Sequence, residues 1–185
     1  RERHPAPRRY GDKPVSLQDA PVPLRREIMP PLRVAYLRHT GHPARSLGLW
    51  LRLLTWAWRR GLLAGGTARP AGIYRDGPET DIAQFRYDAA LIVPATFEAD
   101  GSGIGLLTLP GGPVLVHEFR GTASAAERRW DFLCDECLPR TGHRFREDWY
   151  LDLYAPHQLP PLRLSRIMTA ADPVLEMQMI IPVAE

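Results

Sequence analysis

The sequence predicts an α+β fold of two similar half-sized units, with an antiparallel sheet, helices on one side of it and a central ligand cleft. Three observations predict it. Pro30, Val34, Gly41, Trp50, Leu53, Arg60 and Tyr74 meet Pro110, Val114, Gly121, Trp130, Leu133, Arg140 and Tyr154 at a constant offset of 80, without a gap. After a further shift of eight, Asp88-Ala-Ala-Leu-Ile-Val-Pro94 meets Glu176-Met-Gln-Met-Ile-Ile-Pro182. The repeated residues also fall in a structural order: proline before an alternating apolar run, glycine to end it, tryptophan on a helical stretch, tyrosine in a strand. Units of this kind, here 28–94 and 108–182, pack about a pseudo-twofold axis because neither buries its apolar face alone. The seam between them is the expected place for a ligand.

Each unit reads as two strands, a helix and two more strands. Ile28-Met29 leads through Pro30-Pro31 into Leu32 to His39, where Val34, Tyr36 and Arg38 alternate against Arg33, Ala35, Leu37 and His39. The second unit turns through Pro110-Gly111-Gly112, residues suited to a tight corner. Pro43 suits the first turn of a helix and Gly61 its C-terminal cap. The second helix opens with Ser124-Ala-Ala-Glu127, the spacing of a capping box, and stops at Pro139 and Gly142. Its apolar stripe is single: Ala126, Trp130, Leu133, Cys134 and Cys137. The first helix has two stripes, Leu47, Trp50, Leu54 and Trp58 against Leu49, Leu53 and Trp56. A large sheet covering both is the expectation, with a homodimer contact or a ligand wall as the alternatives.

At 185 residues, with 44% hydrophobic and 24% charged side chains, the chain has the composition of a soluble globular protein with one well-buried domain. Arginines interrupt every apolar run before the roughly 18 residues a membrane span needs, so no membrane partner is expected. There is no signal-peptide pattern, and the first residue is Arg1, so the chain reads as part of a longer cytoplasmic protein. Residues 1–33 carry eight basic and four acidic side chains, leaving 16 and 17 for the rest. The basic character therefore belongs to the leader. With Pro5, Pro7, Pro14, Pro21 and Pro23, residues 1–27 read as a linker or the tail of an upstream domain, and 28–185 as the folded domain.

Catalytic and cofactor motifs are missing. No nucleophile elbow, phosphate loop or dinucleotide fingerprint is present, and Gly101-Ser-Gly-Ile-Gly105 lacks the third glycine and the strand-to-helix setting. Cys134 and Cys137 have the spacing of a zinc or redox half-site, but there are no other cysteines, and the pair lies near the end of a helix where the dipole disfavours a thiolate. Core packing is the expectation for them. His39 and His42 read as surface histidines, so neither metal nor cofactor is expected. What remains is Asp152 in Tyr150-Leu-Asp-Leu-Tyr154, where period-two alternation puts it on one face with Tyr150 and Tyr154. Tyr74 is the repeat partner of Tyr154, and Gly72 that of Asp152, so one unit supplies an acid and the other a space opposite it. A carboxylate among tyrosines can trap a bulky cation, each ring adding about 0.5–2 kcal/mol. Spacing alone leaves open whether Asp152 does this or is a solvated strand residue.

The strings Pro31-Leu-Arg-Val-Ala-Tyr-Leu-Arg-His-Thr-Gly41, Gly72-Ile-Tyr-Arg-Asp76, Phe85-Arg-Tyr-Asp-Ala-Ala90, Leu109-Pro-Gly-Gly112 and Leu151-Asp-Leu-Tyr154, in this order, resemble the GyrI-like effector-binding domain. That domain occurs at the C-terminus of AraC-type regulators and in related MerR-type regulators. The resemblance covers roughly residues 28–184. It implies a duplicated strand–helix fold whose cleft binds amphipathic, often cationic, small molecules on aromatic walls around a buried glutamate, matched here by Asp152. The implied function is a ligand-sensing module that touches DNA only through an upstream helix-turn-helix domain absent from this chain. Asp152 would anchor the ligand, Tyr74, Tyr154, Tyr36 and Trp130 would form aromatic walls, and Glu118, repeat partner of Arg38, would be a second charge. The alternative implied by the resemblance is a standalone hydrolase of cyclopropane-bearing alkylating agents, using Asp152 and Glu118. A third is an inhibitor that binds another protein.

Overall fold

A computed structural model describes residues 22–64, 69–77, 79–98, 101–146, 149–156 and 173–184. The strands are β1 (Arg25–Met29), β2 (Leu32–Thr40), β3 (Pro70–Tyr74), β4 (Arg86–Ile92), β5 (Gly105–Leu109), β6 (Gly112–Thr122), β7 (Tyr150–Tyr154) and β8 (Val174–Pro182). Helix α1 (Leu47–Arg59) lies between β2 and β3, and α2 (Ala123–Phe132) between β6 and β7. The expected strand–strand–helix–strand–strand order is thus present on both sides of residue 100. All strands join one antiparallel sheet in the order β1-β6-β8-β7-β3-β4-β2-β5.

The pairings obey a numerical rule. Adding 80 to residues of β1–β3, and 90 to those of β4, carries pairs near one edge into pairs near the other. Arg25↔Val116 answers Gly105↔Tyr36, Val34↔Ile92 answers Val114↔Pro182, and Gly72↔Ala89 answers Asp152↔Met179. The last strands are related at 90, two residues from the offset of 88 read from their matching sequences, because backbone pairing sets the register and the apolar strings slide past it by one full period.

Both helices pack on one face of the sheet. Trp50, Leu53, Leu54 and Ala57 of α1 meet Ala35, Leu37, Ala89 and Leu91, while Ala126, Leu133 and Cys137 meet Leu115, Phe119, Met177, Met179 and Ile181. Side chains on the other face, among them Val34, Ile73, Val116, Leu151 and Ile180, form a third buried cluster with Met29 and Leu109. That cluster can be buried because the sheet curls. The turns after β1 and β5, on opposite edges, touch at Gly111, where a Cβ would stand 2.7 Å from Met29 O and 2.8 Å from Pro31 N. Only glycine fits there.

Several local expectations are refined. The cap of α2 is Thr122, whose hydroxyl accepts from Ala125 N at 3.3 Å, rather than Ser124 with Glu127. Strand β6 runs straight into the helix, so its own last residue makes the cap. Pro43 opens a separate 3₁₀ turn (Pro43–Arg45) ahead of α1, and Gly61 ends α1 at φ +69°. After Phe132 the chain stays helical through a widened π turn (Leu133–Cys137) and a 3₁₀ turn (Leu138–Arg140) that tolerates Pro139 near its start. The sheet covers only one side of α1, leaving Leu47, Leu51 and Trp58 40%, 49% and 63% exposed. The packed chain also begins earlier than residue 28. Val22 and Leu24 are buried against the α2 side, and Pro23 O lies 2.9 Å from His117 Nδ1.

Two glycines test this packing in opposite directions. Gly111→Ala should lower stability by about 1–3 kcal/mol in denaturant titrations, since the extra methyl meets backbone. Gly48→Ala, inside α1 with open space around it, should raise stability by about 0.5–1 kcal/mol.

Candidate functional site

The centre of the sheet places the site. Strands β3 and β7 are neighbours, and Gly72 pairs with Asp152. Alternation points Asp152 toward the helices, where it is 2% exposed. Tyr74 Oη donates to Asp152 Oδ2 at 2.7 Å, and Trp130 Nε1 on α2 donates to Oδ1 at 2.9 Å. Among the described residues no cation pairs with this carboxylate. Asp88, equally buried, contrasts with it: Arg38 donates twice, at 2.8 and 2.9 Å, and Arg75 once at 2.9 Å. Burial therefore acts on Asp152 with only two neutral donors against it, and pushes its pKa from 3.8 up to about 7.

Over Gly72 the sequence supplies a different acceptor. A Cβ there would stand 2.6 Å from Tyr87 Oη, so the missing side chain is what admits that hydroxyl. Tyr87 accepts from Tyr154 and from the indole of Trp50, which can only donate. The two sets of partners correspond: Tyr74 and Trp130 hold Asp152 as Tyr154 and Trp50 hold Tyr87. The rings also cross between halves, with Trp130 edge-on to Tyr74 at 5.7 Å and Trp50 edge-on to Tyr154 at 5.9 Å. Burial raises Tyr74 and Tyr154 well above 10, so all three tyrosines stay neutral donors or acceptors.

Of the expected site residues, Asp152, Tyr74, Tyr154 and Trp130 come together. Tyr36 and Glu118 do not join them. Both are even-numbered on β2 and β6 and face away from the helices, Tyr36 against Gly105 and Arg38, Glu118 accepting from Arg25 and Gln178. Tyr87 and Trp50 were not among the expected residues. The signal for Tyr87 was a glycine inside a strand, which marks a close approach. Cys134 and Cys137 are free thiols in the α2 packing, and burial pushes Cys134 up to about 12. His42 Nδ1 accepts from Ala44 N, and His39 Nε2 lies 3.1 Å from His42 O. No group of metal-ligand side chains forms among the described residues, and no helix there is long and apolar enough to cross a membrane.

The family model of the GyrI-like small molecule binding domain matches residues 25–160. The chain belongs to this family. Solved structures with the same fold include a hydrolase from Listeria innocua, 13% identical, covering 93% of this chain and 100% of that one at a TM-score of 0.56. EcmrR in a DNA complex is 12% identical, with 88% of this chain matching 57% of that chain at 0.61. SAV2435 bound to tetraphenylphosphonium is 12% identical, covering 85% and 93% at 0.51.

The buried acid has a signature in stability. Between pH 4 and 7 the folded chain holds a proton on Asp152 that the unfolded chain has lost, so this group makes stability fall as pH rises through that window and then level off. Relative to Asp152→Asn, the unsubstituted protein should lose up to about 4 kcal/mol across it. A difference that stays flat from pH 4 to 8 would mean that Asp152 titrates normally.

Proposed function

We propose that this GyrI-like domain is the effector-binding module of a bacterial transcription regulator and takes a lipophilic cation at Asp152. The observation that carries this reading is a buried carboxylate with no cation of its own among the described residues, ringed by Tyr74, Trp130, Tyr154, Trp50 and Tyr87. Such a group is poorly solvated until a cation arrives, and aromatic faces are the surface a desolvated organic cation prefers. Tyr74 and Trp130 close over the acid, so a ligand cation takes the place of one of these contacts. The binding energy shifts the domain between two conformations, and DNA is reached through an upstream helix-turn-helix domain in the cytoplasm. Two comparisons support this: SAV2435 binds tetraphenylphosphonium, and EcmrR, matched over part of its length, binds DNA.

The site also fits a duplication. We read residues 28–94 and 108–182 as two units about a twofold axis between β3 and β7. The pairing rule, the crossed Trp–Tyr contacts and the matching donors on Asp152 and Tyr87 support this. An experimental structure should superpose β1–β3 on β5–β7 at an offset of 80 and β4 on β8 at 90; unrelated settings for Trp50 and Trp130 would sink it.

The binding test uses tetraphenylphosphonium as probe, followed by tryptophan fluorescence and calorimetry. Cation binding holds Asp152 ionised, so affinity should rise as pH increases from 6 to 8 and a proton should be released below pH 7. Asp152→Asn should weaken the cation by about 1.5–3 kcal/mol, and a neutral analogue such as triphenylphosphine oxide much less. Equal losses would leave Asp152 a purely structural role. The second reading is a hydrolase, favoured by an acid that titrates near neutrality and by the Listeria innocua relative. Against it, no histidine or second carboxylate stands beside Asp152 among the described residues to hold a water in line. Incubation with a cyclopropane-bearing alkylating agent should therefore give saturable quenching and no product by mass spectrometry. Multiple turnovers abolished by Asp152→Asn would replace the sensor with the enzyme.

A further inference from the structure

On the face of the sheet away from Asp152, a cleft of about 430 Å³ is lined by Arg69, Glu118, Leu153, Ala155, Glu176 and Gln178, among others. The pairing rule says what this cleft replaces. Glu118, Gln178 and Ala155 stand where Arg38, Asp88 and Arg75 stand in the other half. In that half the place is filled, because the Arg75 guanidinium reaches over and donates to the fully buried Asp88 at 2.9 Å. In this half Ala155 offers only a methyl group. The space that a guanidinium occupies on one side is open on the other.

The groups around that space ask for two charges of opposite sign. Glu118 accepts from Arg25 at 2.6 Å and from Gln178 at 3.0 Å, both at Oε1, so Oε2 keeps its acceptor capacity. Burial disfavours its charge, yet those donors outweigh burial and hold it below the usual carboxylate range. Arg69 is in the converse position. Among the described residues its Nε is buried with no acceptor, and desolvation, only partly offset by the attraction of Glu118, lowers its pKa. An orphaned buried guanidinium N–H is costly, and the Arg69 side chain that carries it also lines the cleft. At the rim Arg120 and Glu176 neutralise each other at 2.8 Å.

We propose that this cleft is a second ligand site, for a small zwitterion whose guanidinium or ammonium group meets Glu118 in the space Arg75 fills in the other half, and whose carboxylate meets Arg69. The site stands on the strand register and does not depend on how Asp152 is used.

L-arginine is the probe, titrated calorimetrically into the full chain beside two near relatives: L-citrulline, which keeps the shape and loses the guanidinium charge, and agmatine, which loses the carboxylate. L-arginine should saturate with a Kd of about 1 mM or tighter, and both relatives should bind at least tenfold more weakly. Arg69→Met should reduce L-arginine to the level of agmatine, and Glu118→Gln to that of L-citrulline. Ala155→Arg rebuilds the plug of the other half; it should abolish L-arginine binding while tetraphenylphosphonium binding at the centre persists. Equal affinities for the three probes, no saturation, or L-arginine binding unchanged by both Arg69→Met and Glu118→Gln would each overturn the assignment.

Discussion

A buried carboxylate with no cation beside it among the described residues is the constraint around which this domain is arranged. Asp152 sits at the middle of an eight-stranded sheet, and an ionised acid there requires donors from both sides. Tyr74 comes from the neighbouring strand β3 and Trp130 from helix α2, so the two halves of the chain must be docked before the acid is satisfied. Those same rings fill the space between the helices. Packing and polarity are thus coupled: nothing can move Trp130 or Tyr74 without exposing Asp152 to a different environment.

Three differences between the halves give the molecule its chemistry. Asp152 faces Gly72 across β3 and β7, and the room left by glycine is taken by the hydroxyl of Tyr87, a neutral acceptor held by the same kinds of donors. The centre therefore has an acid that titrates near neutrality at one end and a neutral hydroxyl at the other. On the reverse face Arg75 is answered by Ala155 and Arg38 by Glu118, which leaves one half closed by a buried ion network and the other open. Where corresponding residues are alike, as with Trp50 and Trp130, they build the scaffold. Where they differ, they create a charge or a space.

Much of this was legible in the sequence, for reasons that can be named. Period-two alternation put Asp152 and Tyr154 on one face, the offset of 80 paired Tyr74 with Tyr154 and Trp130 with Trp50, and the family resemblance assigned these four residues to one site. Tyr36 and Glu118, assigned with them, do not join it, because which face of a strand meets the helices depends on which neighbouring residues those helices bury, and Leu37 and Phe119 are only one position away. The offset of the last strands, read as 88, is 90 in the sheet, since runs such as Ala-Leu-Ile and Met-Ile-Ile keep their alternation when slid by two. The role of Tyr87 needed the contact across Gly72, which no single-strand pattern encodes. The apolar excess of α1 was visible, but its partition was not: Trp50 and Leu53 come from different stripes and are buried together, while Leu47 and Trp58 at the two ends stay exposed.

Helix α2 carries the consequence of the centre outward. Trp130, which holds Asp152, stands three residues before the π turn at Leu133–Cys137, where the hydrogen-bond ladder widens. Leu133 and Cys137 of that turn belong to the cluster that buries Val22 and Leu24. The backbone at Val22 is also hydrogen-bonded to Cys137. One short stretch of helix therefore joins the carboxylate at the middle of the sheet to the segment around Val22 and Leu24. The contrast is with α1, whose Trp50 bonds to the neutral Tyr87 instead of an acid. The half that holds the buried acid is thus also the half whose helix packs on Val22 and Leu24.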